Sequence, residues 1–294
     1  MNHQPEVSII IPTYNEGRII TDVIGSIHKI MGTLKRSYEI LVIDDGSRDD
    51  TYEKAHNAGA VVISHPYNIG NGAAVKTGIR NAKGDVLVMM DGDGQHNPEY
   101  IPQLLDKIGQ FDMVVGARTG DSESYLHRDI ANGVYNLFAS YICNKKIQDL
   151  TSGFRAIKAV IARQFVSLLP NTFSYPTTIT MAVLRSGFSL AYVPIKTNRR
   201  TGKSKIRLLR DGSRFFLIIV KIATLFSPLR VFLPVSFSVF LIGLLYGLYK
   251  IFFLDVRYGP TSAMLISMAV LIFMVGLVSE QIAQLHYDRR ERRD

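Results

Sequence analysis

Two aspartates separated by one glycine, Asp91-Gly92-Asp93, stand directly after the apolar run Val86-Leu87-Val88-Met89-Met90. A strand of that composition delivers both carboxylates to one exposed turn, and the intervening glycine lets another backbone come close. Paired hard oxygen ligands suit Mg²⁺ or Mn²⁺, and Gln95 is placed to add a ligand or an outer contact. An ion held there acts as a Lewis acid on a departing phosphate. Taken alone, the pattern is equally that of a tight turn, where aspartate and glycine are favoured anyway. His96 beside it reads as a turn residue, with a metal or acceptor contact as the alternative.

The elements that must position this pair are legible around it. Short apolar runs at Val7 to Pro12, Glu39 to Ile43, Val61 to Ser64, Asp85 to Met90 and Met113 to Gly116 alternate with helical stretches. That alternation argues for a parallel sheet with crossover helices, in which ligands bind beyond the carboxyl ends of the strands. Polar clusters fall at those ends: Tyr14-Asn15-Glu16, Asp44-Asp45-Gly46-Ser47 and Asp91-Gly92-Asp93. Gly70-Asn71-Gly72-Ala73-Ala74 lacks the last glycine of a dinucleotide fingerprint and follows His65-Pro66-Tyr67-Asn68 rather than a strand, so it reads as a loop and helix start shaping a pocket.

Composition is not uniform along the 294 residues. From Val231 to Ser279 the only charged residues are Lys250, Asp255 and Arg257, and the stretches Val231 to Phe253 and Gly259 to Ser279 are both long enough to cross a bilayer. The short connection between them makes a hairpin. Eight basic residues against one acid lie between Lys196 and Arg214, and four arginines between Arg289 and Arg293 follow the second stretch. The positive-inside tendency therefore puts both flanks, the catalytic part and both termini on the cytoplasmic side; a buried soluble hairpin is the alternative. Residues 206–228 read as an amphipathic helix in the membrane interface, or else packed on the domain. This gives a catalytic domain over 1–205, an interfacial helix over 206–228, and a hairpin with basic tail over 229–294. The formal charge of +9 is thus explained by an anionic membrane face and phosphate-bearing ligands, with no nucleic acid. One cysteine, Cys143, excludes an internal disulfide and a cysteine zinc site, and the opening residues are too short and wrongly flanked for a signal peptide.

The ordered motifs VSIIIPTYNEG, EILVIDDGSRDDT, GDVLVMMDGDGQHNPE, VVGAR and DLTSGFRAIK together resemble the inverting glycosyltransferases of family 2. With Arg199-Arg200-Thr201-Gly202-Lys203-Ser204-Lys205 and the hairpin, the chain looks closest to the polyprenyl-phosphate glycosyltransferases of the dolichyl-phosphate mannosyltransferase type. The resemblance implies an α/β nucleotide-binding fold of the GT-A kind, a Rossmann-like mixed sheet followed by a two-helix transmembrane hairpin. It implies that Pro12, Tyr14, Glu16, Ile43 and Asp45 hold base and ribose, that Asp91, Gly92 and Asp93 hold diphosphate and metal, and that Arg118, Arg199 and Lys205 are cations at the phosphates. Arg128 and Asn132, with Arg118, fall where relatives bind the acceptor phosphate, although many relatives have serine in place of Asn132. The implied partners are a nucleotide-sugar of the UDP-glucose or GDP-mannose type, an undecaprenyl or dolichyl phosphate, the membrane, and further copies of the chain as a tetramer.

A lipid monophosphate has a second pKa of about 6 and attacks as a dianion without a strong base, whereas an alcohol needs one. Direct displacement with inversion follows. Two rivals stand beside it. A family 2 polymerase or glycolipid synthase would use a hydroxyl acceptor, but its usual Q-x-x-R-W motif cannot occur in a chain without tryptophan. A silent nucleotide-binding anchor would have no reason to keep Asp91, Asp93 and Arg118.

Overall fold

The computed structural model describes residues 4–119, 126–172, 174–197, 217, 220–225, 227–254, 257 and 259–291, with the side chains of 126–132, 134 and 286–291 excepted. Two compact units make up the chain, Met1–Phe215 and Phe216–Asp294.

The first unit is built on one sheet. Its strands are β1 (Val7–Thr13), β2 (Tyr38–Asp44), β3 (Val61–Ser64), β4 (Val86–Met89), β5 (Met113–Arg118), β6 (Arg155–Lys158) and β7 (Leu190–Ile195), in the order β3-β2-β1-β4-β6-β5-β7. Strands β3, β2, β1 and β4 run parallel, so the chain ends of β1, β2 and β4 emerge on one edge. β6 is antiparallel to both β4 and β5, and β5 is parallel to β7. The sheet is therefore mixed, as the GT-A resemblance implies, and not the parallel sheet that strand and helix alternation alone suggests. The difference arises because β6 returns between β4 and β5 instead of crossing over. Its sequence, Arg-Ala-Ile-Lys, opens on a charge and carries no strand signal.

Period-two alternation divides the core. All seven residues of β1 are buried. Ile9 and Ile11 join a cluster with Ile20, Val23, Ile24, Ile27 and Met31 of α1 (Ile20–Leu34), whose spacing makes one apolar helix face. Ile10 points the other way, close under Gly78 of α3 (Asn71–Asn81). Ser8, buried in the middle of β1, donates to Glu39 Oε1 at 2.5 Å and accepts from Gly84 N at 2.8 Å, so no polar atom there goes unpaired. The remaining helices of this unit are α2 (Thr51–Asn57), α4 (Ile101–Ile108), α5 (Leu126–Cys143), α6 (Ala159–Phe165) and α7 (Tyr175–Arg185).

The second unit is a pair of long helices, α8 (Pro228–Leu254) and α9 (Pro260–Glu291). At 27 residues, α8 is about 40 Å long, more than a hydrocarbon core requires. Large apolar side chains face outward along both, Phe237, Ile242, Leu245, Leu271 and Val278 among them. The pair packs through small residues: a Cβ on Gly276 would lie 2.7 Å from Phe232 Cβ, and one on Gly243 2.9 Å from Leu265 Cβ. Glu280, the acid near the end of the apolar stretch, accepts a hydrogen bond from Leu229 N at 3.1 Å and so caps the start of α8.

Candidate functional site

Asp91, Gly92 and Asp93 turn out from the end of β4. Gly92 allows this because a Cβ there would sit 2.7 Å from Thr13 Cγ2 and 3.3 Å from Pro12 O, so only glycine lets the turn press against the end of β1. Asp93 Oδ1 accepts from Gln95 N at 3.1 Å, and the Asp91 side chain remains 32% exposed. His96 is buried, stacks on Phe154 with ring centroids 5.2 Å apart, and accepts from Asp91 N through Nδ1 at 3.2 Å. That nitrogen is thus taken up by the backbone of the turn. Among the described residues no cluster of three His, Cys, Asp or Glu side chains gathers. Two partly exposed carboxylates on one turn nevertheless fit Mg²⁺ or Mn²⁺, which are commonly held by one or two carboxylates and the substrate's own phosphates.

Beside this turn the loops after β1 and β2 are sewn to one another. Asn15 N donates to Ser47 Oγ at 2.9 Å, Arg48 N to Asn15 Oδ1 at 2.8 Å, Glu16 N to Thr51 Oγ1 at 3.0 Å and Gly17 N to Asp49 Oδ2 at 3.1 Å. They frame a cleft of about 460 Å³ whose walls include Tyr14, Asp44, Arg48, Tyr52, His65 and Tyr67. Tyr67 is 67% exposed and Tyr52 45%, offering flat rings at the rim.

Asp44 lines this cleft and Asp45 does not. The Asp45 carboxylate is 97% buried and fully used: Oδ1 accepts from Ile69 N at 3.0 Å and faces His65 Nδ1 at 2.7 Å, while Oδ2 accepts from Gly70 N at 2.8 Å. His65 in turn reaches Thr77 Oγ1 at 2.9 Å through Nε2. Asp45 thus anchors the loop that forms the cleft's far wall. Pro12 and Ile43 are likewise buried strand residues outside the cleft's lining, and Glu16 also lies outside it. Tyr14 alone of the set expected at base and ribose lines it. Asp44 and Asp45 differ because adjacent residues at a strand end point to opposite faces. The helix start at Gly70 to Ala74 is closed by protein, since Ala73 N donates to Asn171 O at 3.2 Å, so it does not cradle a dinucleotide phosphate.

Arg118, expected at the phosphates, is held by Asp149. Its Nε donates to Asp149 Oδ2 at 2.8 Å, Nη2 to Oδ1 at 2.9 Å, and Nη2 also to Thr151 Oγ1 at 2.5 Å. Burial of Asp149 works against its charged form, yet the hydrogen bonds and charge of Arg118 outweigh it and hold the carboxyl below its ordinary value. Arg128 and Asn132 fall on α5 with side chains outside the described residues, and Arg199 and Lys205 lie outside them altogether. Sequence reasoning assigned no role to Asp44, His65 or Asp149, although Asp149 opens the DLTSGFRAIK segment.

Comparison with known proteins bears directly on this geometry. Glycosyl transferase family 2 matches residues 8–165, and the GtrB C-terminal hairpin matches residues 227–285. An undecaprenyl-phosphate 4-deoxy-4-formamido-L-arabinose transferase of Klebsiella pneumoniae (strain 342) is 27% identical over 98% of this chain and 91% of its own length. Glycosyltransferase AglJ of Haloferax volcanii is 29% identical over 97% of this chain and 96% of its own. The crystal structure of glucosyl-3-phosphoglycerate synthase from Mycobacterium tuberculosis in complex with Mn²⁺, uridine diphosphate and phosphoglyceric acid superposes with a TM-score of 0.60. It is 19% identical, over 74% of this chain and 78% of that one, a likeness of fold. The family match covers more than half of the chain, which therefore belongs to glycosyl transferase family 2 and is a glycosyltransferase of GT-A fold.

Proposed function

We propose that this family 2 enzyme transfers a hexose from a nucleotide diphosphate sugar to a polyprenyl phosphate, with inversion, at the cytoplasmic face of the membrane in which its hairpin is seated. The observation that carries the reading is the pairing, in one chain, of an Asp91-Gly92-Asp93 turn beside an aromatic-rimmed cleft with two apolar helices of membrane-spanning length. Full-length relatives that carry undecaprenyl phosphate in their names support the acceptor class, and the nucleotide and Mn²⁺ held by a protein of the same fold support the donor and metal.

In this reading Tyr14, Tyr52 and Tyr67 hold the nucleoside, Asp91 and Asp93 hold Mg²⁺ or Mn²⁺ against the diphosphate, and Gln95 contributes from the same turn. The ion, when bound, stabilises charge on the departing nucleotide. A lipid phosphate, dianionic near neutral pH, attacks the anomeric carbon from the opposite side. The bond to the nucleotide breaks as the new phosphate ester forms, and no proton has to be removed from the nucleophile. Asp149, held low by Arg118, is a poor proton acceptor, which suits an acceptor that needs no base. Arg128, Asn132, Arg199 and Lys205 are the cationic and polar groups assigned to the lipid phosphate and leaving diphosphate.

The test is transfer of labelled sugar by the purified full-length protein in detergent. A panel of nucleotide-sugars is offered with undecaprenyl or dolichyl phosphate and with the corresponding free alcohols. Transfer to the phosphates alone, abolished by chelator and lowered at least about tenfold in Asp93→Ala, is the expected result. Full activity in excess chelator, or preference for an alcohol, overturns it.

A further inference from the structure

Arg155 opens β6 and is the bulkiest fully buried side chain among the described residues. A guanidinium is costly to remove from water unless a carboxylate meets it, and no ion pair is formed by Arg155 among the described residues. Its contacts are neutral. Nη1 donates to Pro176 O and to Thr180 Oγ1, both at 3.1 Å, Nη2 donates to Ser152 O, and Nε finds no acceptor. Burial pushes the phenols of Tyr175 and Tyr192 up, the latter to about 12, so both rings beside it stay neutral. The negative charges it feels are more distant, on Asp149 and Asp91. A leucine or methionine would fill this strand position without the desolvation cost, so stability does not explain the residue.

Register explains it better. Met89 faces Arg155 across the antiparallel β4 and β6, so two residues on from Met89 and two back from Arg155, Asp91 comes opposite Gly153. A Cβ on Gly153 would lie 2.7 Å from Asp91 Oδ2 and 3.2 Å from both Cγ and Oδ1. The Asp91 carboxylate therefore rests on bare backbone, and that backbone is pinned from below at two successive carbonyls. Arg155 holds Ser152 O, and Tyr175 donates to Gly153 O at 3.4 Å.

We propose that Arg155 is a positioning residue for the metal and diphosphate: it fixes the Ser152–Gly153 backbone that sets the Asp91 carboxylate, and places a permanent positive charge beneath the acids. The inference rests on the reading of Asp91 as a ligand of the donor's divalent ion. Groups that orient a metal ligand from outside the coordination shell typically change metal affinity by about 10- to 100-fold when lost. The nucleoside cleft is built from other loops, so metal-free UDP binding is expected to be untouched.

The experiment measures Mn²⁺ binding directly, by electron paramagnetic resonance of the free ion, on the full-length protein in detergent with UDP present. Arg155→Met is expected to weaken Mn²⁺ binding about tenfold and Arg155→Lys, which keeps the charge, less. In both, metal-free UDP affinity stays at the wild-type value. Gly153→Ala reaches Asp91 from the same backbone without touching the buried charge, and is expected to weaken Mn²⁺ as well. Folded Arg155→Met protein that binds Mn²⁺ within about twofold of wild type overturns the inference. Should Arg155→Met fail to fold, wild-type Mn²⁺ affinity in Gly153→Ala overturns it equally. Wild-type protein that binds no Mn²⁺ overturns the underlying reading and the inference together, whereas wild-type binding with unaffected variants overturns the inference alone.

Discussion

Aspartates gather at or just beyond the carboxyl ends of β2 and β4, and the two groups are put to opposite uses. Asp44, Asp45 and Asp49 are consumed by the fold. Asp44 accepts from Ser47 N at 3.0 Å and Ser64 Oγ at 3.3 Å, Asp45 from two backbone amides, and Asp49 from Gly17 N and Thr51. Burial opposes the charge on Asp49, but Thr51 and Gly17 outweigh it and lower its pKa. Asp91, by contrast, keeps its carboxylate a third exposed on a turn whose backbone is shaped by its neighbours. A carboxylate saturated by N–H groups is a strut, whereas one supported from behind but open in front is placed for the ligand role proposed for Asp91.

The sharpest way to break that comparison is to neutralise one member of each group. Asp91→Asn is expected to lower turnover by about 10²- to 10³-fold while the thermal midpoint of the detergent-solubilised protein hardly moves. Asp45→Asn turns an NH₂ toward the amides of Ile69 and Gly70 and is expected to cost about 2–3 kcal/mol of stability, seen as a fall of several degrees in the midpoint. Its turnover at saturating donor should stay within about threefold of wild type. Unchanged stability with a steep rise in donor KM would show that Asp45 meets the nucleoside after all.

Arg118, at the end of β5, sharpens the distinction. Removing it by Arg118→Ala strands the buried Asp149 carboxylate, so a loss of about 2 kcal/mol in stability is expected alongside lower activity. The Arg118 and Asp149 double-mutant cycle should return a coupling of about 1–3 kcal/mol in stability. Because the folded Asp149 carboxyl is held below its ordinary value, its stabilisation is present above about pH 4 and is lost as pH falls through the folded value. Asp149→Asn should therefore flatten the acid limb of the stability profile and leave the neutral range parallel to wild type.

Much of this was legible in the residues themselves. The four parallel strands, the three loops at their ends, the Asp91 and Asp93 pair and the hairpin follow from period, punctuation and apolar length. What escaped has a physical cause in each case. Asp44 and Asp45 are neighbours, and which of them faces the cleft depends on strand register, which no local pattern states. β6 is four residues opening on a buried arginine, an arrangement that composition argues against. The pairing of Arg118 with Asp149 spans 31 positions and is made only when β6 inserts beside β5.

The smallest effect separates shape from charge within the cleft. Because Asp45 and its neighbours are already saturated, the rim of that cleft offers a nucleoside chiefly flat surface, and Tyr67, at 67% exposure, is the most open ring there. Stacking of one base on an aromatic side chain is worth about 1–3 kcal/mol. At the lower end of that range Tyr67→Ala should raise donor KM about fivefold with turnover unchanged, since base contacts are the same in the ground and transition states. Tyr67→Phe should match wild type, because the ring and not the hydroxyl carries the contact. A fall in turnover equal to the fall in kcat/KM would instead tie Tyr67 to the reacting end of the donor, and the proposed division between a nucleoside wall of spent acids and a phosphate wall at Asp91 would fail at its rim.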